Sequence, residues 1–389
     1  MVNKRKMPAR KTDELYLRQV LDLARQSIGL TSPNPCVGAV IVDTNGSIVG
    51  SGSHTYDGLK HAEVLAIEQA GEKARGATLY INLEPCSHQG RTPPCADAVI
   101  AAGISRVVAS MEDPNPLVGG QGFAKLRAAG IDVSSGMLEE EAKALNEAFA
   151  KYIRHHVPLV TLKAAMTLDG KIAPPPSRSH PTEHSVLTNW ITGELARAHL
   201  QELRHQHDAI LVGVGTVIAD DPLLTDRSGR ARRRPLLRIV LDSRLRLPLE
   251  SRIVKTATDD LVVLCSFAEE KKKKQLLKLG VRVEQLPRAN SEGHPDIAAV
   301  LRFLGQTEIT SLMIEGGSIV NAAALSAGIV DKVFFYYAPR ILGGTTAVPF
   351  AGGAGFATIN TAPRVKSIRL HRFGEDFAVE GYLKDPYGD

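Results

Sequence analysis

Two cysteines stand where they could bind a metal ion. Cys86 and Cys95 lie in LEPCSHQGRTPPC (83–95), with two prolines directly before the second cysteine. Their spacing is too long for a CxxC redox pair, and no second cysteine pair follows to complete a structural zinc ribbon. Further ligands must therefore come from elsewhere in the chain, and His61 at the start of HAEVLAIEQAG (61–71) is the best placed.

A catalytic zinc site is the chemistry that these residue types favour. Three protein ligands leave the fourth position of Zn²⁺ to water, as in catalytic and not in structural sites. Zinc lowers the pKa of the water that it binds, and Glu63 could accept the proton and deliver it later. His-x-Glu followed by Pro-Cys is the pattern of zinc deaminases, whose glutamate shuttles protons and is not a ligand.

Two other interpretations of these residues stay open. A structural zinc site would take its fourth ligand from His88, His54 or Cys36 and would leave Glu63 on the surface. The residues could also coincide by chance, with no metal bound. HAE alone would be weak support, but HAE together with EPC and the proline-preceded second cysteine favours the catalytic zinc site.

The elements that must position these residues are short strands alternating with helices. Helical periodicity and alternating apolar residues predict the following order of elements. Helices are expected over 13–29, 61–71, 95–103 and 124–130, and strands over 36–43, 47–53, 78–84, 106–111 and 131–136. In this order Cys86 follows a strand, and His61 and Cys95 begin helices, whose N-termini favour thiolates. The alternation indicates an α/β sheet with helices on its faces.

A second α/β series follows residues 154–158. Its predicted strands are 159–165, 208–213, 236–242, 260–266, 281–287, 311–315 and 331–339. The length of 389 residues also favours two domains. The lysine run in 269–280 lies on a predicted helix and is best explained as a solvated face, whereas 173–187 is a loop rich in Pro, Ser and His.

The composition excludes several classes of protein. The net charge of +5 is modest, and much of it lies in a basic tail over 1–12, so it suits anionic small substrates as well as nucleic acid. Four cysteines are too few for a disulfide scaffold. No apolar segment follows the basic N-terminal residues, and no run of about eighteen apolar residues occurs. We therefore expect no signal peptide, no membrane partner and a cytoplasmic location.

Four segments of the first half carry a family resemblance. HAEVLAIEQAG and NLEPCSHQGRTPPC, with PNPCVGAV (33–40) and EDPNPLVGGQG (112–122), resemble the bifunctional deaminase/reductase family of riboflavin biosynthesis. The resemblance implies a cytidine-deaminase-like three-layer α/β/α domain over 13–154. It also implies that His61, Cys86 and Cys95 bind one Zn²⁺ and that Glu63 is the catalytic acid/base. The residues implied to contact the substrate are Asn34, His54, His88 and Arg91.

Physical chemistry bears on some of these implied roles. A guanidinium at Arg91, on a loop beside the metal, suits a phosphate. Asn34 and His54 could instead have a capping or loop role. We expect Cys36 to be a small apolar filler near the site.

Taken by itself, the second half shows only weak signals of a dinucleotide site. No GxGxxG follows its first strand. In IEGGSIVNAAAL (314–325) a predicted strand runs into two glycines and then a helix with Ser318 as N-cap. Backbone N–H groups there could bind phosphate, or the glycines could simply serve a tight turn.

The family resemblance extends over the second half. It is carried by KAAMTLDGKIA (163–173), LVGVGTVIADDPLLTDR (211–227), IVLDS (239–243), MIEGG (313–317) and APRILGG (338–344). It implies a dihydrofolate-reductase-like α/β domain over 159–389 that uses NADPH. The residues implied to contact the substrate are Lys163, Thr188, Arg204, Leu224, Arg227 and Glu315. Those implied to contact NADPH are Ala165, Trp190, Thr216, Asp220, Ser243, Gly317, Ser318, Ile319, Val320, Asn321, Ala322 and Ala323.

One loop departs from the family pattern. The segment 174–187 is several residues longer than usual, and Thr188 stands where a serine is common. A hydroxyl is kept, but the compact glycine turn is not. An enzyme that only deaminates, with its reductase half as a scaffold, therefore stays an alternative.

The hypothesis that follows is a bifunctional enzyme with a small phosphorylated pyrimidine substrate, one Zn²⁺ and NADPH. It would deaminate 2,5-diamino-6-ribosylamino-4(3H)-pyrimidinone 5′-phosphate and then reduce the ribosyl group to ribityl. We expect a homo-oligomer, a dimer or a tetramer, and no nucleic-acid partner. A zinc-stabilised nucleic-acid-binding protein that uses the basic tail and RARRRP (230–235) is the alternative of another class, but aromatic residues for base stacking are only 5%.

Overall fold

The computed structural model describes residues 9–89, 93–175, 190–289 and 293–388. They form two compact units, one built from the chain up to His155 with Ala231–Arg234, the other from His156–Arg230 with Pro235–Gly388. Arg91, Thr188 and most of the predicted 174–187 loop lie outside the described residues. Within the described ranges, no helix is long and apolar enough to cross a membrane.

The first unit is a sheet between two layers of helices. Its strands are β1 (Gly38–Val42), β2 (Ile48–Ser53), β3 (Thr78–Leu83), β4 (Arg106–Met111) and β5 (Asp132–Ser134). Its helices are α1 (Ala9–Gln26), α2 (Ala62–Ala70), α3 (Cys95–Ala101), α4 (Gln121–Ala128) and α5 (Glu139–His155). The strand order is β2-β1-β3-β4-β5, with β1 antiparallel to both neighbours and the last three strands parallel.

The contacts between helices define the two layers. α1 contacts α5 on one side of the sheet, where Leu17 and Val20 pack on Val40 and Tyr80. On the other side α2 contacts α3, which contacts α4. Burying one apolar face of the sheet under each layer provides most of the favourable free energy of folding.

Glycines let α2 lie directly on β2. A Cβ atom at Gly50 would overlap the carbonyl oxygen of Ala66, and one at Gly52 would overlap the carbonyl oxygen of Ala62. Small residues on both elements therefore bring the two backbones into contact. This close packing fixes the start of α2 above the sheet.

The second unit is a larger mixed sheet. Its strands are β6 (Leu159–Thr167), β7 (Lys171–Ala173), β8 (Ala209–Gly213), β9 (Leu237–Leu241), β10 (Leu261–Cys265), β11 (Val281–Gln285), β12 (Ser311–Gly316), β13 (Lys332–Ala338), β14 (Val348–Pro349), β15 (Lys366–Phe373) and β16 (Asp376–Tyr382). Its helices are α6 (Glu194–Gln206), α7 (Val214–Asp220), α8 (Arg252–Lys255), α9 (Glu270–Lys278), α10 (Ile297–Gln306) and α11 (Ser318–Ser326).

Most strands of this sheet run parallel. The order is β11-β10-β9-β8-β12-β6-β13-β16-β15, parallel from β11 to β13, and a short separate pair joins β14 to β7. β13, β16 and β15 pair antiparallel. Among the described strands β15 is therefore an outer one, and it exposes 58% of Ile368 and 74% of Leu370.

A buried arginine lies inside the core of this unit. Arg238 on β9 is 1% exposed and donates from Nε and Nη2 to the two carboxylate oxygens of Asp260, at 2.9 and 2.8 Å. It also donates to the carbonyl oxygens of Leu223 and Thr256. A buried charge needs a partner and satisfied hydrogen bonds, and Arg238 has both. Its contacts link β9 to the segment around Leu223, which precedes β9, and to the segment from Thr256 to Asp260, which precedes β10.

The predicted strands are present, with bounds that shift by a few residues, and the lysine-rich helix is α9. Several elements were not predicted: the helices α5, α6, α7, α8 and α10, the short strands β7 and β14, and the antiparallel pair of β15 and β16. The N-cap prediction for Ser318 is wrong. Gly317 is the N-cap and Ser318 is the first helical residue, because two glycines before the helix let the backbone turn without a capping side chain.

Candidate active sites

The three predicted zinc ligands meet at one point of the first unit. His61 is the N-cap of α2, Cys86 lies in the loop after β3, and Cys95 is the first residue of α3. The Nδ1 atom of His61 lies 3.0 Å from Sγ of Cys95 and 3.7 Å from Sγ of Cys86. A tetrahedral zinc ion separates such ligand atoms by about 3.5–3.8 Å. The 3.7 Å distance matches this value and the 3.0 Å distance is shorter, so this donor set fits Zn²⁺ once Cys95 and His61 move slightly apart.

The contacts of Cys86 and Cys95 shift the pKa values of their thiols. Hydrogen bonds from Cys95 and His61 lower the pKa of Cys86 to about 4, although burial opposes this. The backbone N–H of Cys95 also lies 3.3 Å from Sγ of Cys86. The hydrogen bond with Cys86 raises the pKa of Cys95. A divalent cation between the two sulfurs would favour both thiolates, which is the chemistry expected of a zinc site.

Glu63 lies on the first turn of α2 and is buried, with 3% of it exposed. Burial raises the pKa of its carboxyl group. Its Oε2 atom is buried and has no hydrogen-bond partner among the residues that the structure describes. A buried carboxylate oxygen without a partner, next to three metal ligands, is suited to bind and exchange a proton.

A cavity of about 260 Å³ opens in front of these residues. Asn34, His54 and His88 line it, as the family resemblance implies for substrate contacts. Nδ2 of Asn34 lies 3.0 Å from Nε2 of His54, and Nδ1 of His54 lies 3.0 Å from the carbonyl oxygen of Lys60. The carbonyl accepts from Nδ1–H, which leaves Nε2 of His54 as an acceptor for the Asn34 amide.

Two polar residues on the cavity wall were missed as site residues. Asp113 and Asn115 line the cavity, and they lie in the EDPNPLVGGQG segment that carries part of the resemblance. The buried carboxylate of Glu84 holds this segment by accepting from the N–H groups of Asp113, Gly120 and Phe123. Burial raises the pKa of Asp113 to about 6. The signal available in the sequence was a polar DPN turn directly after a buried strand.

The structural-zinc alternative finds little support. Within the described residues, the group of side chains close enough to share a metal contains His61, Cys86 and Cys95, and not His88, His54 or Cys36. Glu63 is also buried and not on the surface. The role of Cys36 as a small apolar filler stays a prediction; Cys36 is half-buried and its Sγ lies 3.4 Å from the hydroxyl of Thr31.

In the second unit, three residues implied to bind substrate form one buried cluster. Arg204 on α6 donates from Nε and Nη2 to the carboxylate of Glu315 on β12, at 2.7 and 3.0 Å. Nζ of Lys163 on β6 lies 3.9 Å from the same carboxylate. Burial lowers the pKa of Lys163, while Glu315 opposes this shift. Burial acts to raise the pKa of Glu315, but the two cations outweigh it and the pKa lies below its usual value.

The residues implied to contact NADPH gather at the carboxyl ends of parallel strands. Ala165 lies on β6. Thr216 lies in the first turn of α7, which begins directly after β8, Ser243 lies two residues after β9, and Gly317 directly follows β12; these three strands are neighbours in the sheet. Oγ1 of Thr216 accepts from the N–H of Gly317 at 3.1 Å. Ligands of open α/β sheets bind at this edge.

The remaining predicted cofactor residues surround that edge. Asp220 ends α7, and Ser318, Ile319, Val320, Asn321, Ala322 and Ala323 form the first part of α11. Trp190 is 62% exposed, and the Arg197 guanidinium lies 5.1 Å from its ring centroid. Its exposure agrees with the prediction of a ligand surface and not a core position.

The chain is similar to known proteins over both units. Residues 158–379 match the RibD C-terminal domain family, and residues 10–111 match the cytidine and deoxycytidylate deaminase zinc-binding region. The riboflavin biosynthesis protein RibD of Actinobacillus pleuropneumoniae is 43% identical over 376 residues, 96% of each chain.

Two solved structures each cover 96% of this chain and 99% of their own. One is Acinetobacter baumannii RibD, with 35% identity and a TM-score of 0.80. The other is a diaminohydroxyphosphoribosylaminopyrimidine deaminase/5-amino-6-(5-phosphoribosylamino)uracil reductase from Thermotoga maritima, with 34% identity and a TM-score of 0.80.

Proposed function

The chain belongs to the RibD family of bifunctional riboflavin-biosynthesis enzymes, and we propose that its first unit deaminates 2,5-diamino-6-ribosylamino-4(3H)-pyrimidinone 5′-phosphate and its second unit reduces the product. Family membership confirms the predicted fold class, a cytidine-deaminase-like domain followed by a dihydrofolate-reductase-like domain. The alternative of a chain that only deaminates is not favoured, because the RibD C-terminal domain match spans 158–379.

In the first unit, His61, Cys86 and Cys95 would hold Zn²⁺, which when bound lowers the pKa of a water molecule so that it can attack C2 of the pyrimidine. Glu63 takes up a proton at its buried carboxylate and delivers it to the amino group that leaves C2. Asn34 and His54 orient the pyrimidine ring from the cavity wall.

In the second unit, NADPH would supply a hydride to C1′ of the ribosyl group. Lys163 and Glu315 organise the opened sugar beside the cofactor edge, and Arg204 holds the Glu315 carboxylate in one orientation. Arg227 provides a cation for the phosphate group of the substrate. Excluding water from this buried cluster strengthens each of these electrostatic contacts.

One observation carries the deaminase proposal: the Oε2 atom of Glu63, buried and without a hydrogen-bond partner among the described residues, lies beside three converging residues that could bind zinc. The test follows NADPH oxidation with either the diamino substrate or the deaminated substrate. We expect the wild-type chain to oxidise NADPH with both. Glu63→Gln should keep its zinc and oxidise NADPH only with the deaminated substrate, since its deamination rate should fall by about 10²–10⁴.

Loss of zinc from Glu63→Gln would mean that this residue is a ligand or a structural support. An absence of NADPH oxidation by wild type with the deaminated substrate would remove the reductase proposal and leave the deaminase proposal standing.

A further inference from the structure

A short segment of the second unit is held in an unusual backbone conformation. Leu224 has φ of 54°, in the left-handed region, although it is not glycine, and it is 4% exposed. This conformation is unfavourable for any residue that carries a Cβ atom. Other contacts must therefore hold the segment that runs from Leu223 to Ser228 in place.

Side chains from β9 and α6 form hydrogen bonds with the backbone of this segment. Arg238 on β9 donates to the carbonyl oxygen of Leu223 at 3.0 Å, and Arg204 on α6 donates to that of Thr225 at 2.9 Å. The N–H of Arg227 donates to Oε1 of Gln201, also on α6, at 3.0 Å. The helix that carries Arg204 into the Glu315 cluster thus also fixes the segment.

A buried histidine–aspartate pair also links this segment to α6. Nδ1 of His205 on α6 lies 3.0 Å from Oδ2 of Asp226, and their side chains are 2% and 7% exposed. The other carboxylate oxygen of Asp226 accepts from the N–H of Ser228 at 2.9 Å. A carboxylate can only accept, so Nδ1–H of His205 donates this charge-assisted hydrogen bond.

We propose that His205 is a positioning residue of the reductase, which acts through Asp226 to hold residues 224–227 in the conformation that binds the substrate. This inference rests on the proposed roles of Leu224 and Arg227 in substrate binding. Because Asp226 lies between Thr225 and Arg227, fixing its side chain fixes the direction of the backbone that carries Arg227. Without His205 the segment must be ordered when the substrate arrives, and that cost reduces affinity.

The test is the steady-state kinetics of NADPH oxidation with the deaminated substrate in the full-length chain. His205→Ala and Asp226→Ala should each raise the KM for this substrate about tenfold, the loss expected for one buried charge-assisted hydrogen bond. The kcat and the KM for NADPH should stay within about twofold of wild type. The double variant should be no worse than the poorer single variant, because the two residues act through one contact.

His205→Asn is the matched variant. Its side-chain NH₂ can take the place of Nδ1–H and donate to Asp226, so its KM should stay close to that of wild type. Thermal denaturation reports on the folding of the second unit and should change little in His205→Asn, and the deaminase activity of the first unit should not change in any of these variants.

Two results would overturn the inference. One is an unchanged substrate KM in His205→Ala. The other is a parallel loss of kcat, NADPH affinity and thermal stability in His205→Ala and His205→Asn alike, which would indicate a general structural role. Arg227→Ala separates this inference from its premise: if it leaves the substrate KM unchanged, the assignment of Arg227 is wrong.

Discussion

At the scale of single residues, each half of the molecule depends on a buried polar group with a specific partner. In the first unit, His61 and two cysteines approach one another as closely as zinc ligands do. In the second unit, Glu315 is shared by Arg204 and Lys163, and Asp260 is paired with Arg238. Buried charges of this kind are costly to leave without a partner.

The zinc site gives the first residue-scale prediction. Cys95→Ser should lose the bound zinc, because it removes one of three protein ligands and a hydroxyl is a poor zinc ligand. Cys36→Ser is the matched control in the same unit and should retain about one zinc per chain. Metal analysis of the purified proteins measures both, and zinc loss in Cys36→Ser would restore the four-ligand structural site.

The Arg238–Asp260 pair gives the second residue-scale prediction, which concerns stability. Arg238→Leu should lower the free energy of unfolding by about 3–5 kcal/mol, because it leaves the Asp260 carboxylate without its main partner. Urea denaturation at pH 7 measures this loss. Arg302→Leu is the control, because its side chain is 60% exposed and its carboxylate partner Asp296 is 33% exposed, so its removal should cost less than about 1 kcal/mol.

The same pair predicts a pH dependence. Burial acts to raise the pKa of Asp260, but hydrogen bonds from Arg238 and from the Thr258 N–H outweigh it, so the pKa lies below its ordinary value of 3.8. A lowered carboxyl pKa adds stability above the unfolded-state pKa and loses it as the pH falls through the folded-state pKa. The stability difference between wild type and Asp260→Asn should therefore be constant from pH 7 to about 5 and shrink below about 4. A difference that grows on acidification would contradict this assignment.

At the scale of elements, the zinc site is placed by backbone contact between a helix and a strand. α2 supplies His61 and Glu63, and its carbonyl groups lie against Gly50 and Gly52 of β2. No side chain separates the two elements there, so the height of the helix above the sheet is set by the backbone.

Gly52→Ala should therefore push α2 away from the sheet. The added methyl group would overlap the carbonyl oxygen of Ala62, and we expect a loss of about 1–3 kcal/mol in stability together with weaker zinc binding. Ser53→Ala, on the other face of the same strand, is the control and should retain zinc. Thermal denaturation and competition with a zinc chelator measure the two effects. Normal zinc affinity in Gly52→Ala would show that α2 adjusts without moving its first turn.

Some elements could be predicted from the sequence and others could not. The strands and the zinc ligands were predictable because period-2 apolar runs and the HAE and PC spacings are local patterns. α5 was missed, and with it Phe149 and Ile153 on the cavity wall, although its amphipathic pattern was available in the sequence. The His205–Asp226 contact joins residues 21 apart through tertiary packing, and no local pattern indicates such a pair.

At the scale of the whole molecule, the two chemistries are assigned to separate compact units, each with its own core. Removing zinc with a chelator should abolish deamination and leave NADPH oxidation with the deaminated substrate within about twofold of its original rate. The reason is that the three proposed zinc ligands lie in the first unit, whereas the cluster around Glu315 lies in the second. Adding zinc back should restore deamination, and a parallel loss of both activities would contradict separate sites.

The outer strand β15 has a consequence for handling the protein. Its exposed Ile368 and Leu370 alternate with charged residues of one sign, Lys366, Arg369 and Arg372. Like charges along an open sheet edge repel the same edge of a second molecule and so keep it from pairing. Salt screens this repulsion over about 10 Å at 0.1 M and over still shorter distances above that. Pairing of β15 with the same strand of a second molecule should therefore be weak at low ionic strength and become stronger as salt is added.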